Sequence, residues 1–383
     1  MKYVDEYRDG DVGAKIAASI RAEADPSRDY YFMEFCGGHT HAISRYGLED
    51  VLPDNVHMVH GPGCPVCVLP VGRIDQAIDL ATTENVTMCT YGDLMRVPAS
   101  KRRSLIKAKA EGADIRMVYS TLDAIKIAQD EPDRMVIFFA IGFETTTPPT
   151  ALAIKAAAAK GLKNFAVFCN HVLTPAAIQN ILESPDVREL GTVRLDGFVG
   201  PAHVSTVIGT QPYEYFAEEF RRPVVVAGFE PLDMIQAILM LIRQVNEGRT
   251  DVENEYARAV RREGNERAKT DVADVFELRK SFEWRGLGDV PYSALRIKEA
   301  YARFDAERLY GMEYVPAPDN PACDCGAILR GVKKPTDCKL FGTACTPESP
   351  MGSCMVSSEG SCAAHWTYGR FRDDDEPKTK ARA

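Results

Sequence analysis

The sequence predicts an α/β protein made of two consecutive α/β units and a third, cysteine-rich region. In the first unit, residues 30–134, helical stretches separate four apolar strand candidates at residues 31–35, 56–60, 86–91 and 115–120. The second unit, residues 135–243, repeats this pattern with candidates at residues 135–141, 164–169, 197–199 and 223–227. Alternating strands and helices are typical of parallel sheets covered by helices. We therefore expect a four-stranded parallel sheet in each unit.

Two further regions flank these units. Residues 1–29 are expected to form a helical segment that packs on the C-terminal region. Residues 244–383 are charged and carry apolar side chains at helical spacing, namely Val272, Val275, Phe276, Leu278 and Phe282. We expect helices there, then a loop-rich lobe that contains an iron-sulfur site, and a frayed tail at residues 372–377.

Composition narrows the class of protein. The chain has 46 basic and 55 acidic side chains, a net charge of -9, and no dense basic patch, which argues against a nucleic-acid partner. Residues 1–13 lack the apolar core of a signal peptide, and the longest apolar stretch, residues 135–143, is about half as long as a membrane span. We therefore expect a cytoplasmic globular protein without membrane contact.

Chemically active residues follow the first strand candidate. Residues 36–41 read Cys-Gly-Gly-His-Thr-His, and the carboxyl ends of parallel strands are where such folds bind ligands. Cys36 stands at the expected start of a helix, where partial positive charge favours a thiolate, and His39 adds an imidazole. These residues indicate a metal site or a reactive thiol. The alternative is a buried structural cysteine.

A second cysteine loop follows the next strand candidate. Residues 61–67 read Gly-Pro-Gly-Cys-Pro-Val-Cys, which places Cys64 and Cys67 in a Cys-x-x-Cys motif. Such a pair is either a dithiol that cycles through a disulfide or half of a zinc site. Cys36 and His39 would complete the zinc site, so both interpretations stay open.

Six of the eleven cysteines lie within residues 323–362. Disulfides are rare in the cytosol, so this cluster favours metal binding or redox chemistry. A cubane iron-sulfur cluster needs four cysteines without one fixed spacing. Zinc is the alternative, but structural zinc sites usually show two close pairs, and Cys323 and Cys325 are separated by only one residue. Cys89 and Cys169 lie in apolar strands and are predicted to be core residues.

Together these motifs resemble the HypD family of [NiFe]-hydrogenase maturation proteins. The resemblance covers nearly the whole chain and rests on residues 36–41, 61–67, 142–148 (Gly-Phe-Glu-Thr-Thr-Thr-Pro), 200–205 (Gly-Pro-Ala-His-Val-Ser) and 354–362. It implies a scaffold that, in complex with the small chaperone HypC, holds iron while the metal receives two cyanides and one carbon monoxide. HypE would deliver the cyanide, and the finished Fe(CN)2CO unit would move to the hydrogenase large subunit.

The resemblance also implies residue roles. Cys36 would hold the iron together with a cysteine of HypC, with His39 as a nearby ligand or hydrogen-bonding group, and Cys64 and Cys67 would be the thiol pair beside them. A [4Fe-4S] cluster would be bound by four cysteines, Cys323, Cys338, Cys345 and Cys362. The remaining two, Cys325 and Cys354, would form a redox-active dithiol beside the cluster and pass electrons towards Cys64 and Cys67.

Two other functions fit parts of the sequence. One is a stand-alone iron-sulfur thiol-disulfide oxidoreductase that acts on a protein substrate, and the other is a zinc-stapled interaction module. A scaffold for metal-centre assembly, rather than a conventional turnover enzyme, accounts for more of the motifs. Infrared bands of cyanide and carbonyl would distinguish the scaffold from the oxidoreductase, and a brown colour would exclude the zinc module.

Overall fold

The computed structural model describes residues 5–370 of the chain. The predicted frayed tail at residues 372–377 lies outside the described residues. The helices are α1 Gly10–Glu23, α2 Gly37–Tyr46, α3 Pro65–Val68, α4 Val71–Thr83, α5 Leu105–Ala110, α6 Thr121–Asp130, α7 Thr147–Ala159, α8 Thr174–Glu183, α9 Pro185–Arg188, α10 Ala202–Ile208, α11 Glu214–Glu219, α12 Pro231–Glu247, α13 Glu266–Val275, α14 Ala306–Leu309, α15 Cys325–Leu329 and α16 Ser361–Tyr368. Short 3-10 helices include Asp5–Arg8 and Ser353–Met355.

Within this part of the chain, nine strands form two parallel sheets. They are β1 Tyr30–Glu34, β2 Val56–His60, β3 Val86–Thr90, β4 Ile115–Met117, β5 Met135–Gly142, β6 Phe165–His171, β7 Gly197–Gly200, β8 Val224–Val226 and β9 Val252–Asn254. The five-stranded sheet has the order β2-β1-β7-β8-β9, and the four-stranded sheet has the order β4-β3-β5-β6. Every pairing in both sheets is parallel. The predicted α/β class with parallel sheets is confirmed.

The strands are divided between the sheets differently from the predicted consecutive units. The four-stranded sheet comes from residues 86–171, and the five-stranded sheet combines strands that precede and follow this segment. β3 pairs with β5 from Val86 opposite Met135 to Cys89 opposite Phe138, so the expected boundary between residues 134 and 135 falls inside one sheet. Parallel partners are joined by long connections, and buried apolar strands carry no local signal of which partner they choose.

The region after residue 243 is less helical than expected. α13 ends at Val275, and four short strands follow, β10 Phe276–Leu278, β11 Ser281–Trp284, β12 Gly288–Pro291 and β13 Leu295–Ile297. β10 pairs with β13 and β11 with β12, both antiparallel. Phe282 and Trp284 are both buried, which is the period-two pattern of a strand rather than a helix.

The N-terminal segment packs along α12. Ile20 of α1 belongs to the same apolar cluster as Leu232 and Ile235 of α12, and the Arg243 guanidinium donates two hydrogen bonds of 2.7 Å to Glu23. This segment was expected to pack on residues 244–383, whereas most of α12, Pro231–Glu247, comes before that region. Residues 244–383 contact the segment through Arg258, whose guanidinium lies 3.8 Å from the centroid of the Tyr7 ring.

The cysteine-rich lobe shares a core with the four-stranded sheet. Cys67 after β2, Phe139 of β5, Trp284 of β11, and Ile328 and Met355 of the lobe belong to one cluster of buried apolar residues. The lobe therefore packs directly on the sheet and on the Cys64–Cys67 loop. Among residues 5–370, no helix is long and apolar enough to cross a bilayer.

Candidate functional site

Cys36 lies at the carboxyl edge of the five-stranded sheet, in the short turn between β1 and α2. It is the N-cap residue of α2 and is 6% exposed. Its Sγ lies 3.9 Å from Nδ1 of His203, which belongs to α10 and follows β7. Two neighbouring strands of the sheet thus bring a thiol and an imidazole together.

The electrostatic setting of Cys36 differs from the expected thiolate. Burial raises the pKa of Cys36 to about 12, and the negative charge of Glu359 contributes to the rise. The backbone N–H of Gly38 lowers this pKa, as expected at a helix start, but by less than burial raises it. Cys36 is therefore a protonated thiol until a cation binds the sulfur and a base accepts the released proton.

The two glycines that follow Cys36 allow other groups to reach the start of α2. A Cβ atom on Gly37 would lie 2.4 Å from Cβ of Glu359, and one on Gly38 would lie 2.5 Å from Cε1 of Phe229. The Phe229 ring also contacts both histidines of the site, with centroid distances of 5.1 Å to His39 and 4.1 Å to His203. Glu359 and Phe229 are thus walls of the Cys36 site.

His39 is fully buried and keeps one nitrogen available. Its Nε2 donates to the carbonyl of Ala227 at 3.0 Å, so Nδ1 carries the lone pair. Nδ1 has no hydrogen-bond partner among the described residues. Burial lowers the pKa of His39, which keeps the ring neutral. An uncompensated buried acceptor is costly, so this lone pair is free for a ligand that reaches it.

The charged residue inside the apolar strand β1 supports the Cys36 turn from behind. Glu34 is fully buried, and its carboxylate accepts hydrogen bonds from the Cys36 N–H and from His60 Nδ1, both at 2.9 Å. Burial lowers the pKa of His60, but the hydrogen bond and charge of Glu34 outweigh this effect and raise it overall. Because His60 ends β2, Glu34 connects the ends of two adjacent strands.

The second cysteine loop contacts the first through its backbone. The Gly37 N–H donates to the Gly63 carbonyl at 3.0 Å, and a Cβ atom on Gly63 would lie 2.5 Å from the Cys36 nitrogen. Cys64 and Cys67 are joined by a disulfide, with a Cα–Cα distance of 5.2 Å. In this form neither sulfur offers a thiolate to zinc, and the two are 3% and 0% exposed.

All six cysteines of the lobe line one small cavity, together with Ile328, Phe341 and Met355. Sγ of Cys325 and Sγ of Cys354 are 2.7 Å apart, so these two form a close pair. Around them lie the four predicted cluster ligands, Cys323, Cys338, Cys345 and Cys362. These four cysteines have the donor atoms that an iron-sulfur cluster requires, because soft thiolates are its usual ligands. Between residues 5 and 370, no three Cys, His, Asp or Glu side chains form a ready-made metal site.

Ser353 joins the cysteine cavity to the Cys64–Cys67 disulfide. It is fully buried, its Oγ donates to the Cys67 carbonyl at 2.8 Å, and the same Oγ lies 3.6 Å from Sγ of Cys325. Sγ of Cys67 in turn lies 3.9 Å from the Ser353 carbonyl. A continuous series of contacting residues therefore joins the cavity to the second cysteine loop, and this loop contacts the Cys36 turn.

The lobe also contacts the Cys36 helix directly. α16, which carries Cys362, packs on α2, and Nε2 of His41 lies 3.1 Å from the Tyr368 hydroxyl. His41 is therefore turned towards α16.

Cys89 and Cys169 are fully buried, as predicted. His171 is buried, and its Nε2 lies 2.9 Å from Oγ1 of Thr150.

Sequence reasoning missed several residues of this site. Glu34 and His203 had signals, because a carboxylate inside an apolar strand and a histidine in the 200–205 motif both require an explanation. Glu359 lies in the 354–362 motif and had the same kind of signal as His203, whereas Phe229 and Ser353 lie outside the motifs. They reach the site from distant parts of the chain, so only the fold reveals their contacts.

Comparison with known proteins agrees with the motifs. A family model described as "HypD: Hydrogenase formation hypA family" matches residues 11–369. The chain is 74% identical to hydrogenase maturation factor HypD of Rhizobium leguminosarum bv. viciae, with 97% of each chain covered. It is 69% identical to HypD of Cupriavidus necator, covering 97% of this chain and 98% of the relative. For Escherichia coli HypD the identity is 46%, with 96% and 98% covered. The chain therefore belongs to the HypD family of hydrogenase maturation factors.

Proposed function

We propose that the chain is the scaffold on which the Fe(CN)2CO unit of [NiFe]-hydrogenase is assembled. In this proposal it acts in complex with a HypC-type chaperone, receives cyanide from a HypE-type donor, and works in the cytoplasm. The iron is its cargo, and Cys36 is the residue that holds it. Family membership supports the role in maturation, and the geometry around Cys36 supports the choice of site.

Cys36 suits the capture of iron because it becomes a thiolate only when positive charge arrives. Metal binding releases the thiol proton, and a soft thiolate is a good ligand for iron that also carries cyanide. Nδ1 of His203, 3.9 Å from the sulfur, is placed to accept that proton. Burial lowers the pKa of His203, so the ring is neutral before iron arrives, and transfer depends on the metal lowering the affinity of the sulfur for its proton. Nδ1 of His39 offers a second lone pair beside the cargo.

The observation that carries the redox part of the proposal is the Ser353 contact between the two cysteine pairs. A [4Fe-4S] cluster on Cys323, Cys338, Cys345 and Cys362 would supply single electrons when bound. The Cys325 and Cys354 thiols form a disulfide when they lose two electrons and two protons. The Cys64–Cys67 disulfide takes up the same number when it opens. Oxidation of one pair thus balances reduction of the other.

Burial argues against the alternative of a stand-alone thiol-disulfide oxidoreductase. Exchange with a protein substrate requires attack on an accessible sulfur, whereas Cys64 and Cys67 are 3% and 0% exposed. Their neighbours are groups of the same chain, Ser353 on one side and the Cys36 turn on the other. This arrangement favours an internal electron acceptor.

Infrared spectroscopy tests the proposal. The protein is purified anaerobically with its small partner from cells that carry out hydrogenase maturation. We expect bands in the cyanide and carbonyl stretching regions for the wild type, and their loss in Cys36→Ala. Cys89→Ala is the matched control, because Cys89 is equally buried but lies within β3. Absence of the bands from the wild-type complex would contradict the scaffold proposal.

A further inference from the structure

A buried carboxylate and a histidine lie behind the Cys36 turn without a part in the chemistry above. Glu34 is 0% exposed at the end of β1, and its Oε1 accepts a hydrogen bond from His60 Nδ1 at 2.9 Å. The His60 side chain is 19% exposed, but burying the Glu34 carboxylate carries a desolvation cost that attraction to a partner often fails to offset. Its presence at the edge of the sheet therefore calls for a reason other than stability.

Glu34 contacts both cysteine loops. Its Oε2 accepts from the Cys36 N–H at 2.9 Å, and its Oε1 also accepts from Oγ1 of Thr40 in the first turn of α2. The backbone carbonyl of Glu34 accepts from the Gly61 N–H at 2.9 Å, directly after His60. One residue thus joins the Cys36 turn, the start of α2 and the start of the Cys64–Cys67 loop.

We propose that Glu34, together with His60, is a positioning residue that couples the two loops, so that the oxidation state of Cys64 and Cys67 sets the reactivity of Cys36. Reduction of the disulfide takes two electrons and two protons and frees the backbone of residues 61–67 from the constraint of the S–S bond. Glu34 transmits the change to the Cys36 N–H. The inference rests on the proposed function, in which these residues hold iron and receive electrons.

The same two strands offer a matched control at their opposite end. Nε2 of His57 lies 3.7 Å from Oδ1 of Asp29, so β2 and the residue before β1 form a second histidine-carboxylate pair. This pair is partly exposed, with side-chain exposures of 34% and 44%, and lies away from the cysteine loops. Its substitution removes equivalent chemical groups without touching Cys36.

The test measures how fast Cys36 is alkylated by N-ethylmaleimide before and after reduction with dithiothreitol. Trypsin places Cys36 alone on the peptide of residues 29–45 and the disulfide pair on residues 46–73, so mass spectrometry follows each separately. We expect reduction to change the wild-type rate by about fivefold or more, taking the lower end of the ~5–150-fold equilibrium coupling between sites as a guide. The ratio of the alkylation rates after and before reduction should approach one in Glu34→Gln and His60→Gln. It should keep its wild-type value in Asp29→Asn and His57→Gln.

Circular dichroism establishes that each variant is folded, and His60→Gln carries the test if Glu34→Gln does not fold. A wild-type alkylation rate that does not change on reduction would overturn the inference. A folded Glu34→Gln variant whose rate changes on reduction as much as the wild-type rate would also overturn it. The assay needs no Fe(CN)2CO cargo, no cyanide and no partner protein. Its failure is therefore distinct from the failure of the proposed scaffold function, which the infrared bands decide.

Discussion

Gly63→Ala tests whether the two cysteine loops pack against each other as tightly as the fold requires. A Cβ atom at this position would lie 2.5 Å from the Cys36 nitrogen and 2.7 Å from the Phe35 carbonyl carbon. Both contacts are with backbone, which cannot rotate away as a side chain does. The loops must therefore separate by about 1 Å to reach a normal contact distance.

The expected cost follows from three contributions. Overpacking in a rigid site costs about 1–3 kcal/mol. Separation stretches the 3.0 Å hydrogen bond from Gly37 to Gly63, and losing such a bond costs about 0.5–1.5 kcal/mol. The reduced freedom of the unfolded chain offsets about 0.4–1 kcal/mol. The free energy of unfolding should fall by about 2 kcal/mol.

Urea unfolding monitored by tryptophan fluorescence measures this change, because Trp284 is buried. Gly10→Ala is the control, since Gly10 begins α1 and a Cβ atom there meets nothing within 4 Å. Alanine is favoured over glycine in helices, so the control should be neutral or slightly stabilised. A Gly63→Ala variant as stable as Gly10→Ala would refute the close packing of the loops.

Three further predictions follow from buried groups. Ser353→Ala should lower the free energy of unfolding by about 1–3 kcal/mol, because the Cys67 carbonyl loses its 2.8 Å partner, and should slow reduction of the Cys64–Cys67 disulfide; Ser353→Thr, which keeps the hydroxyl, is the comparison. Burial raises the pKa of Glu144 to about 7, so the folded state binds the extra proton and stability falls as pH rises from 4.5 through 7, by roughly 3 kcal/mol at most. In urea unfolding, Glu144→Gln should lose this part of the pH dependence and keep the part that comes from Glu255, whose pKa burial also raises to about 7, whereas the exposed control Glu189→Gln should keep both. Cys354→Ser should retain cluster iron but fail to reduce the Cys64–Cys67 disulfide, and normal reduction in this variant would exclude the Cys325–Cys354 pair from the path.

Strand positions were predictable because they depend on local sequence. All eight strand candidates correspond to strands, and the candidate at residues 56–60 has the bounds of β2. Short β-rich apolar segments between helical stretches suffice to identify them. β9 was missed because Val252–Asn254 has no apolar pattern and its three residues are only partly buried.

The partner of each strand was not predictable in the same way. β1 pairs with β7, placing Phe32 opposite Gly197, and no local property of either strand specifies that choice. The cysteine loops could be recognised because their residue types point to chemistry. The two loops contact each other because β1 and β2 are adjacent in the sheet. The burial that makes Cys36 a weaker acid, and the contact of Cys67 with Ser353, depend on chain segments more than 100 residues away.

Anaerobic iron analysis of three proteins, each purified with its small partner, tests the central claim of two separate iron sites most directly. Wild type, Cys36→Ala and Cys338→Ala are compared by total iron, visible absorption and infrared bands. Cys36→Ala should lose the cyanide and carbonyl bands and keep the broad visible absorption of the cluster. Cys338→Ala should lose that absorption and its iron from the lobe. Simultaneous loss of all iron in both variants would show a single site and contradict the account.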